Sequence, residues 1–205
     1  MRAGLVRFEL PVDADELADR LLLYLRELHK WNAAYNLTAV RDPLQMLPRH
    51  IYDSLSAVPF MHGESIADVG IGAGLPGIPL ALCCPDKHLT LLDSNGKKIR
   101  FVDHVVRRLG LSNVTAVQAR IEDYRPARLF DAAVSRALSS LRDFAASSEH
   151  ALAPGARLIA MKGKFPADEL ATLEDDLPHW HLQQSASLQV PGLEGERHIL
   201  VLERL

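Results

Sequence analysis

The sequence predicts an α/β fold: a mostly parallel seven-stranded sheet with an antiparallel last strand, preceded by a small helical subdomain. Three observations carry this expectation. Up to about residue 60 the apolar residues recur at helical spacing, after residue 63 short apolar runs alternate with helical segments, and the last two runs have only a turn between them. Such β/α alternation makes a parallel sheet, covered by helices on both faces and connected by right-handed crossovers. The change of pattern separates residues 1–62, a helical cap, from residues 63–205, the sheet domain, within one compact unit.

The elements follow in chain order. Leu17, Leu21, Leu25, Leu28 and Trp31 line one face of a helix over residues 13–32, with Asp13 or Asp15 as its cap. Asp42-Pro43 starts a second helical stretch, which Pro48 is expected to split before Ile51, Leu55 and Val58. Strands are expected at 65–69, 88–92, 114–118, 130–134 and 156–161, with helices near 77–84, 97–109, 138–152 and 167–175 between them. The runs 182–190 and 198–203 flank a Pro-Gly-Leu-Glu-Gly turn, so a hairpin should deliver the antiparallel strand.

Composition narrows the function classes. The 205 residues are 48% hydrophobic and 24% charged, which supports a sizeable core and excludes disorder. No stretch approaches the ~20 apolar residues of a membrane span, and charges from Arg2 to Glu16 interrupt any signal-peptide pattern, so a cytoplasmic protein is expected. Cys83 and Cys84 are adjacent, a poor geometry for a disulfide, and the nine histidines lack zinc-type spacing, so no metal is expected. A net charge of −3 leaves only local patches for a polyanion. Candidate RNA contacts are Lys97, Lys98, Arg100, Lys162 and Lys164; solvated helix faces and loop ends explain them equally well, as they do Arg107 and Arg108.

In an open parallel sheet, ligands sit at the carboxyl ends of the strands. The first strand runs into Asp68-Val69-Gly70-Ile71-Gly72-Ala73-Gly74-Leu75-Pro76-Gly77. A dinucleotide fingerprint needs a third glycine at 75, where this chain has Leu75. A carboxylate at Asp68 is unfavourable beside a pyrophosphate and favourable beside a cationic amino acid or sulfonium. The turn with Gly70, Gly72 and Gly74 therefore favours S-adenosylmethionine over NAD. Asp93 ends the second strand, where a carboxylate can accept from both ribose hydroxyls. After the third strand, Ile121 could cover the adenine and Glu122 accept from its amino group; a solvated acidic turn has the same pattern.

After the fourth strand stands Ser135-Arg136-Ala137-Leu138, with no Asn-Pro-Pro-Tyr element for an exocyclic amine and no Pro-Cys nucleophile. The acceptor should then be an atom with its own lone pair, and a purine ring nitrogen fits. Arg136 is the candidate catalytic residue, ordering the cofactor or stabilising the acceptor; a surface salt bridge is the competing role. An NAD(P) oxidoreductase is disfavoured, since Tyr24, Tyr35, Tyr52 and Tyr124 all lack a lysine four residues on. A non-catalytic RNA-binding module stays open.

The sequence resembles the RsmG family, also called glucose-inhibited division protein B, along most of its length. The similar stretches are Leu28-His29-Lys30-Trp31-Asn32, Tyr35-Asn36-Leu37-Thr38, Arg49-His50-Ile51, Asp53-Ser54, the glycine turn through Pro79, Leu92-Asp93-Ser94, Ser135-Arg136-Ala137, Met161-Lys162-Gly163, Val190-Pro191 and Gly195-Glu196-Arg197-His198. The resemblance implies a class I, Rossmann-like methyltransferase that modifies N7 of a guanine in 16S ribosomal RNA, with that RNA or the small ribosomal subunit as partner. It also implies S-adenosylmethionine contacts at Gly70, Leu75, Ile121, Glu122 and Arg136. A monomer is expected. Ile71 departs from the family, whose members usually carry a small polar residue there.

Overall fold

The computed structural model describes residues 1–8, 10–136 and 140–204. After a short helix α1 (Arg2–Leu5), α2 (Ala14–Tyr35) forms the long amphipathic helix. Asp13 caps it, its Oδ1 accepting from the backbone N–H groups of Asp15 at 3.0 Å and Glu16 at 2.9 Å, an arrangement worth about 1 kcal/mol. Helix α3 (Pro43–Met46) is capped by Asp42 and runs on through a π-helical stretch, Leu47–Tyr52, into α4 (Asp53–Leu55). Pro48 therefore does not split this segment. The wider π turn accommodates a residue that has no N–H to offer the carbonyl four residues back.

The sheet contains β1 (Ser65–Val69), β2 (His88–Asp93), β3 (Val114–Gln118), β4 (Phe130–Ser135), β5 (Leu152–Lys162), β6 (Trp180–Ser187) and β7 (His198–Arg204). Their order is β3-β2-β1-β4-β5-β7-β6, with β7 antiparallel to both neighbours. Strand β5 begins four residues earlier than 156, and its register against β4 shifts between Phe130 and Ala132. Gly155, at φ +73°, lies in the early, irregular part of that strand. Between the strands lie α5 (Gly77–Cys83), α6 (Gly96–Leu109), α7 (Leu141–Ser148) and α8 (Ala167–Asp176). The expected helix at 138–152 narrows to α7 plus a 3-10 turn, Glu149–Ala151; its first positions, with Ala137 and Leu138, lie outside the described residues.

Strand side chains alternate between two apolar layers, as a period of two requires. Ile199 and Val201 join Ile66, Leu91 and Val134 on the face covered by Ile78, Phe101 and Val105. Leu200 and Leu202 join Ala67, Val69 and Leu92 on the face covered by Phe144, Leu173 and Trp180. Leu17, Leu21, Tyr24 and Leu28 of α2 enter the first layer together with Met46, Ile51 and Leu55, so the N-terminal helices and one sheet face share a core. Ile71 is buried in that layer too, where an apolar side chain suits its surroundings.

Candidate functional site

The carboxyl end of the sheet carries two cavities. The larger, about 730 Å³, is bounded by residues just after β1, β2 and β3 and by the outer face of α7. Gly70, Asp93, Ile121 and Glu122 all line it, together with Lys98 and Ser147. Gly70 holds φ +74°, and a Cβ built on it meets nothing within 4 Å. Any larger residue would strain the backbone and project into space a ligand can use.

Asp93 is nearly buried and well supplied with donors. Its Oδ1 accepts from Asn95 N at 2.9 Å, and its Oδ2 from Gly72 N at 3.0 Å and Lys98 Nζ at 3.1 Å. A carboxylate offers about four acceptor positions, so Oδ1 retains one for a hydroxyl. Lys98, expected at RNA, is thus tied into the first cavity by its ion pair with Asp93.

The glycine turn is braced from two sides. Gly77 N donates to Asp68 Oδ2 at 2.7 Å, and a Cβ at Gly77 would strike the Leu91 side chain and lie 2.6 Å from that oxygen. Only glycine lets α5 begin so close to β1. From the other side, the buried Tyr24 hydroxyl donates to Ala73 O at 2.7 Å, tying α2 to the turn. Asp68 itself is fully buried, with Oδ1 lacking any partner. Burial pushes its pKa up to about 7, against the lowering effects of the Gly77 N–H and Arg136, while Asp93 adds to the rise. Asp68, Gly74 and Leu75 stand behind the cavity wall: Gly74 packs toward Ile78 and Val102, and Leu75 is buried in the core, whereas Gly72 is partly exposed, with nothing within 4 Å of a Cβ built on it, and does not itself line the cavity.

The second cavity, about 320 Å³, opens at the ends of β4 and β5 under the π-helical stretch. Arg49, Arg136, Lys162 and Arg197 line it against a single carboxylate, Asp53. Asp53, 6% exposed, accepts from Arg136 Nη1 at 3.3 Å and Arg197 Nε at 3.1 Å, and Arg136 Nη1 also donates to Arg49 O at 3.0 Å. Lys162 pairs with Glu169 at 2.7 Å. His50 completes the wall, its Nε2 2.9 Å from Thr38 Oγ1 and its pKa lowered to about 4 by burial and then by Arg136. Ser135 Oγ donates to Val69 O at 2.8 Å, so the chain leaves β1 and β4 as bonded neighbours, with Gly70 on one cavity and Arg136 on the other.

Of the residues expected to meet the cofactor, Gly70, Asp93, Ile121 and Glu122 come together, whereas Arg136 lies one strand over in the second cavity. Of the five candidate RNA contacts, Lys97, Arg100 and Lys164 are exposed. His50, Asp53 and Arg197 were not singled out for a role. Their only signal is membership in the matching stretches, since no local spacing relates them. Among the described residues no group of three His, Cys, Asp or Glu side chains is placed to hold a metal, and no helix is long and apolar enough to cross a membrane.

A family model described as GidB, rRNA small subunit methyltransferase G, matches residues 18–200. A ribosomal RNA small subunit methyltransferase G from Pseudomonas syringae pv. tomato is 49% identical over 197 residues, covering 96% of this chain and 92% of that protein. The protein of that name from Pseudomonas aeruginosa PAO1 is 50% identical, with 96% and 94% coverage. Among solved structures, a SAM-dependent methyltransferase from Aquifex aeolicus superposes with a TM-score of 0.61 at 17% identity, over 80% of this chain and 94% of that one. The N-methyltransferase NodS from Bradyrhizobium japonicum, in complex with S-adenosyl-L-homocysteine, gives 0.59 at 15% identity, over 86% and 98%. At such identities the structures show a shared fold.

Proposed function

This chain belongs to the GidB family of small-subunit ribosomal RNA methyltransferases, and from that premise we propose that it methylates N7 of a guanine in 16S ribosomal RNA, with S-adenosylmethionine in the first cavity and the guanine in the second. It is an S-adenosylmethionine-dependent rRNA methyltransferase with ribosomal RNA as its substrate. The observation that carries the two-cavity assignment is the pairing itself. An open glycine turn stands one strand from a cavity walled by four cationic side chains, a local positive site on a chain of net charge −3.

The donor-side residues divide the work by their chemistry. Gly70 leaves room beside the backbone, Asp93 Oδ1 accepts a ribose hydroxyl, Ile121 offers an apolar face to adenine and Glu122 an acceptor to its amino group. When ionised, the unpartnered Asp68 Oδ1 behind the turn favours positive charge nearby. When bound, S-adenosylmethionine supplies an electrophilic methyl group on a sulfonium.

On the acceptor side, guanine N7 carries its own lone pair, so the site needs alignment and no general base. The ring becomes cationic on methylation. Asp53, shared by Arg136 and Arg197, neutralises part of the charge that would oppose that change and fixes both guanidiniums. Arg136, at the seam between the cavities, orients the two reactants through its planar fork. The enzyme is proposed to act as a monomer, in the cytoplasm where its ribosomal substrate is assembled. Lys97, Arg100 and Lys164 are its outer RNA contacts.

Titration calorimetry tests the donor assignment. The purified protein should bind S-adenosylmethionine and its demethylated product and give no heat with NAD. Binding of NAD without the sulfonium cofactor would overturn the reading.

A further inference from the structure

We propose that Phe165, beside the second cavity, is a stacking platform for the RNA base adjacent to the target guanine; the inference rests on the assignment of that cavity to the guanine. Phe165 is 41% exposed and belongs to neither apolar layer of the core. It follows β5 closely: Lys162, the last residue of that strand, and Gly163 both line the cavity. The other large exposed aromatic side chain among the described residues, Tyr35, ends α2, a helix that lines neither cavity.

The ring is held while much of it stays open. Its centroid lies 5.8 Å from that of His198, with the two planes at 73°. His198 Nδ1 donates to Gly163 O at 3.0 Å, and Lys162 Nζ reaches Glu169 across the loop at 2.7 Å. Pro166 comes next in the chain and restricts Phe165 to extended backbone. A ring fixed in this way has little conformational entropy left to lose when a ligand covers it. Charge points to what that ligand is. Arg49 lines the same cavity and Lys164 precedes the ring; both are exposed, and neither side chain has a hydrogen bond or ion pair among the described residues. Two uncommitted cations near an aromatic ring suit a nucleotide, its phosphate on the cations and its base on the ring. The N7 edge of a guanine in an A-form helix lies in a deep, narrow groove closed to side chains, so a guanine that enters the cavity has left its stack. Its neighbour then lacks one stacking partner, and Phe165 replaces it.

A phenyl ring that merely packs on His198 could be replaced by another apolar side chain, and this separates the two roles. Methyl transfer into small subunits from cells lacking this gene, cofactor affinity and melting temperature are measured for Phe165→Ala, Phe165→Leu and Phe165→Trp. Phe165→Ala should raise KM for the subunits about 10-fold, with cofactor affinity and melting temperature near wild type. Phe165→Leu keeps apolar bulk without a π-face and should lose nearly as much, whereas Phe165→Trp should lose clearly less. An unchanged KM in Phe165→Ala, or a Phe165→Leu variant as active as Phe165→Trp, overturns the proposal. The identity of the occupant is read by replacing Phe165 with photoreactive p-benzoyl-phenylalanine and irradiating the protein with the same subunits. The cross-link should fall in 16S RNA, next to the methylated guanine; a cross-link to a ribosomal protein, or none in the RNA, overturns the platform. A wild-type protein that forms no 7-methylguanosine overturns the cavity assignment, whereas an active wild type matched by Phe165→Ala overturns the phenylalanine alone.

Discussion

The two cavities stand one strand apart and are assembled in opposite ways. The first draws on residues immediately after β1, β2 and β3, each delivered by its own strand, and much of its work falls to backbone: a glycine at positive φ and N–H groups held by Asp68 and Asp93. The second is gathered from far apart, Asp53 meeting Arg136 across 83 positions and Arg197 across 144. A site built on a turn leaves a short signature in the chain. One built from side-chain pairs between distant elements leaves no spacing to read, and its parts depend on one another more.

The largest effect should come from breaking the first cavity at its backbone. Gly70→Val places a β-branched residue at φ +74° and fills the open space, so calorimetry should show cofactor affinity falling at least about 100-fold. A variant that still binds near wild type would mean the ligand lies elsewhere. Next, Asp53→Ala tests the interdependence of the second cavity. Losing the carboxylate leaves two guanidiniums without their shared partner, at a cost of about 2 kcal/mol, or about 6 °C in melting temperature. Methyl transfer should fall more than cofactor affinity; equal losses would erase the distinction between the cavities.

A smaller effect concerns Asp68. Between its unfolded value near 3.8 and its folded value of about 7, the folded protein holds a proton the unfolded chain has released. Stability from this group therefore falls as pH rises through that window. Asp68→Asn cannot titrate, so from pH 5 to pH 8 its melting temperature should gain progressively on the wild type; parallel curves would show that the carboxylate is already ionised across that range. The smallest expected change is in salt dependence. Removing the charge of Lys97, Arg100 or Lys164 should flatten the slope of RNA affinity against salt by ~0.7 per phosphate contact. Lys98 and Lys162, held by Asp93 and Glu169, should leave it unchanged, and the reverse pattern would exchange the two groups.

This contrast also explains what was legible in the sequence. Strands β1, β2 and β4 stand within a residue of the expected bounds, because buried parallel strands are apolar runs with abrupt ends; the half-exposed edge strand β3 also falls at its expected bounds. Pro48 misled because a π turn tolerates what an α-helix does not, and the early start of β5 at Leu152 was hidden by Pro154 and Gly155, both poor strand residues. That Gly70 and Asp93 line the first cavity follows from their place at the end of a strand. Lys98 was not readable in this way, since its ion pair with Asp93 depends on how α6 starts beside the end of β2, and neither were His50 and Asp53, whose surroundings exist only once the N-terminal helices pack on the sheet.

The central claim is that this pair of cavities places a methyl group on guanine N7 of small-subunit ribosomal RNA. Nucleoside mass spectrometry of 16S ribosomal RNA, from cells with the gene, without it, and complemented with Gly70→Val, tests it directly. One 7-methylguanosine should be present in the first sample and missing from the other two. A 16S modification profile unchanged by loss of the gene, or a lost methyl group that maps to another atom or base, would contradict it.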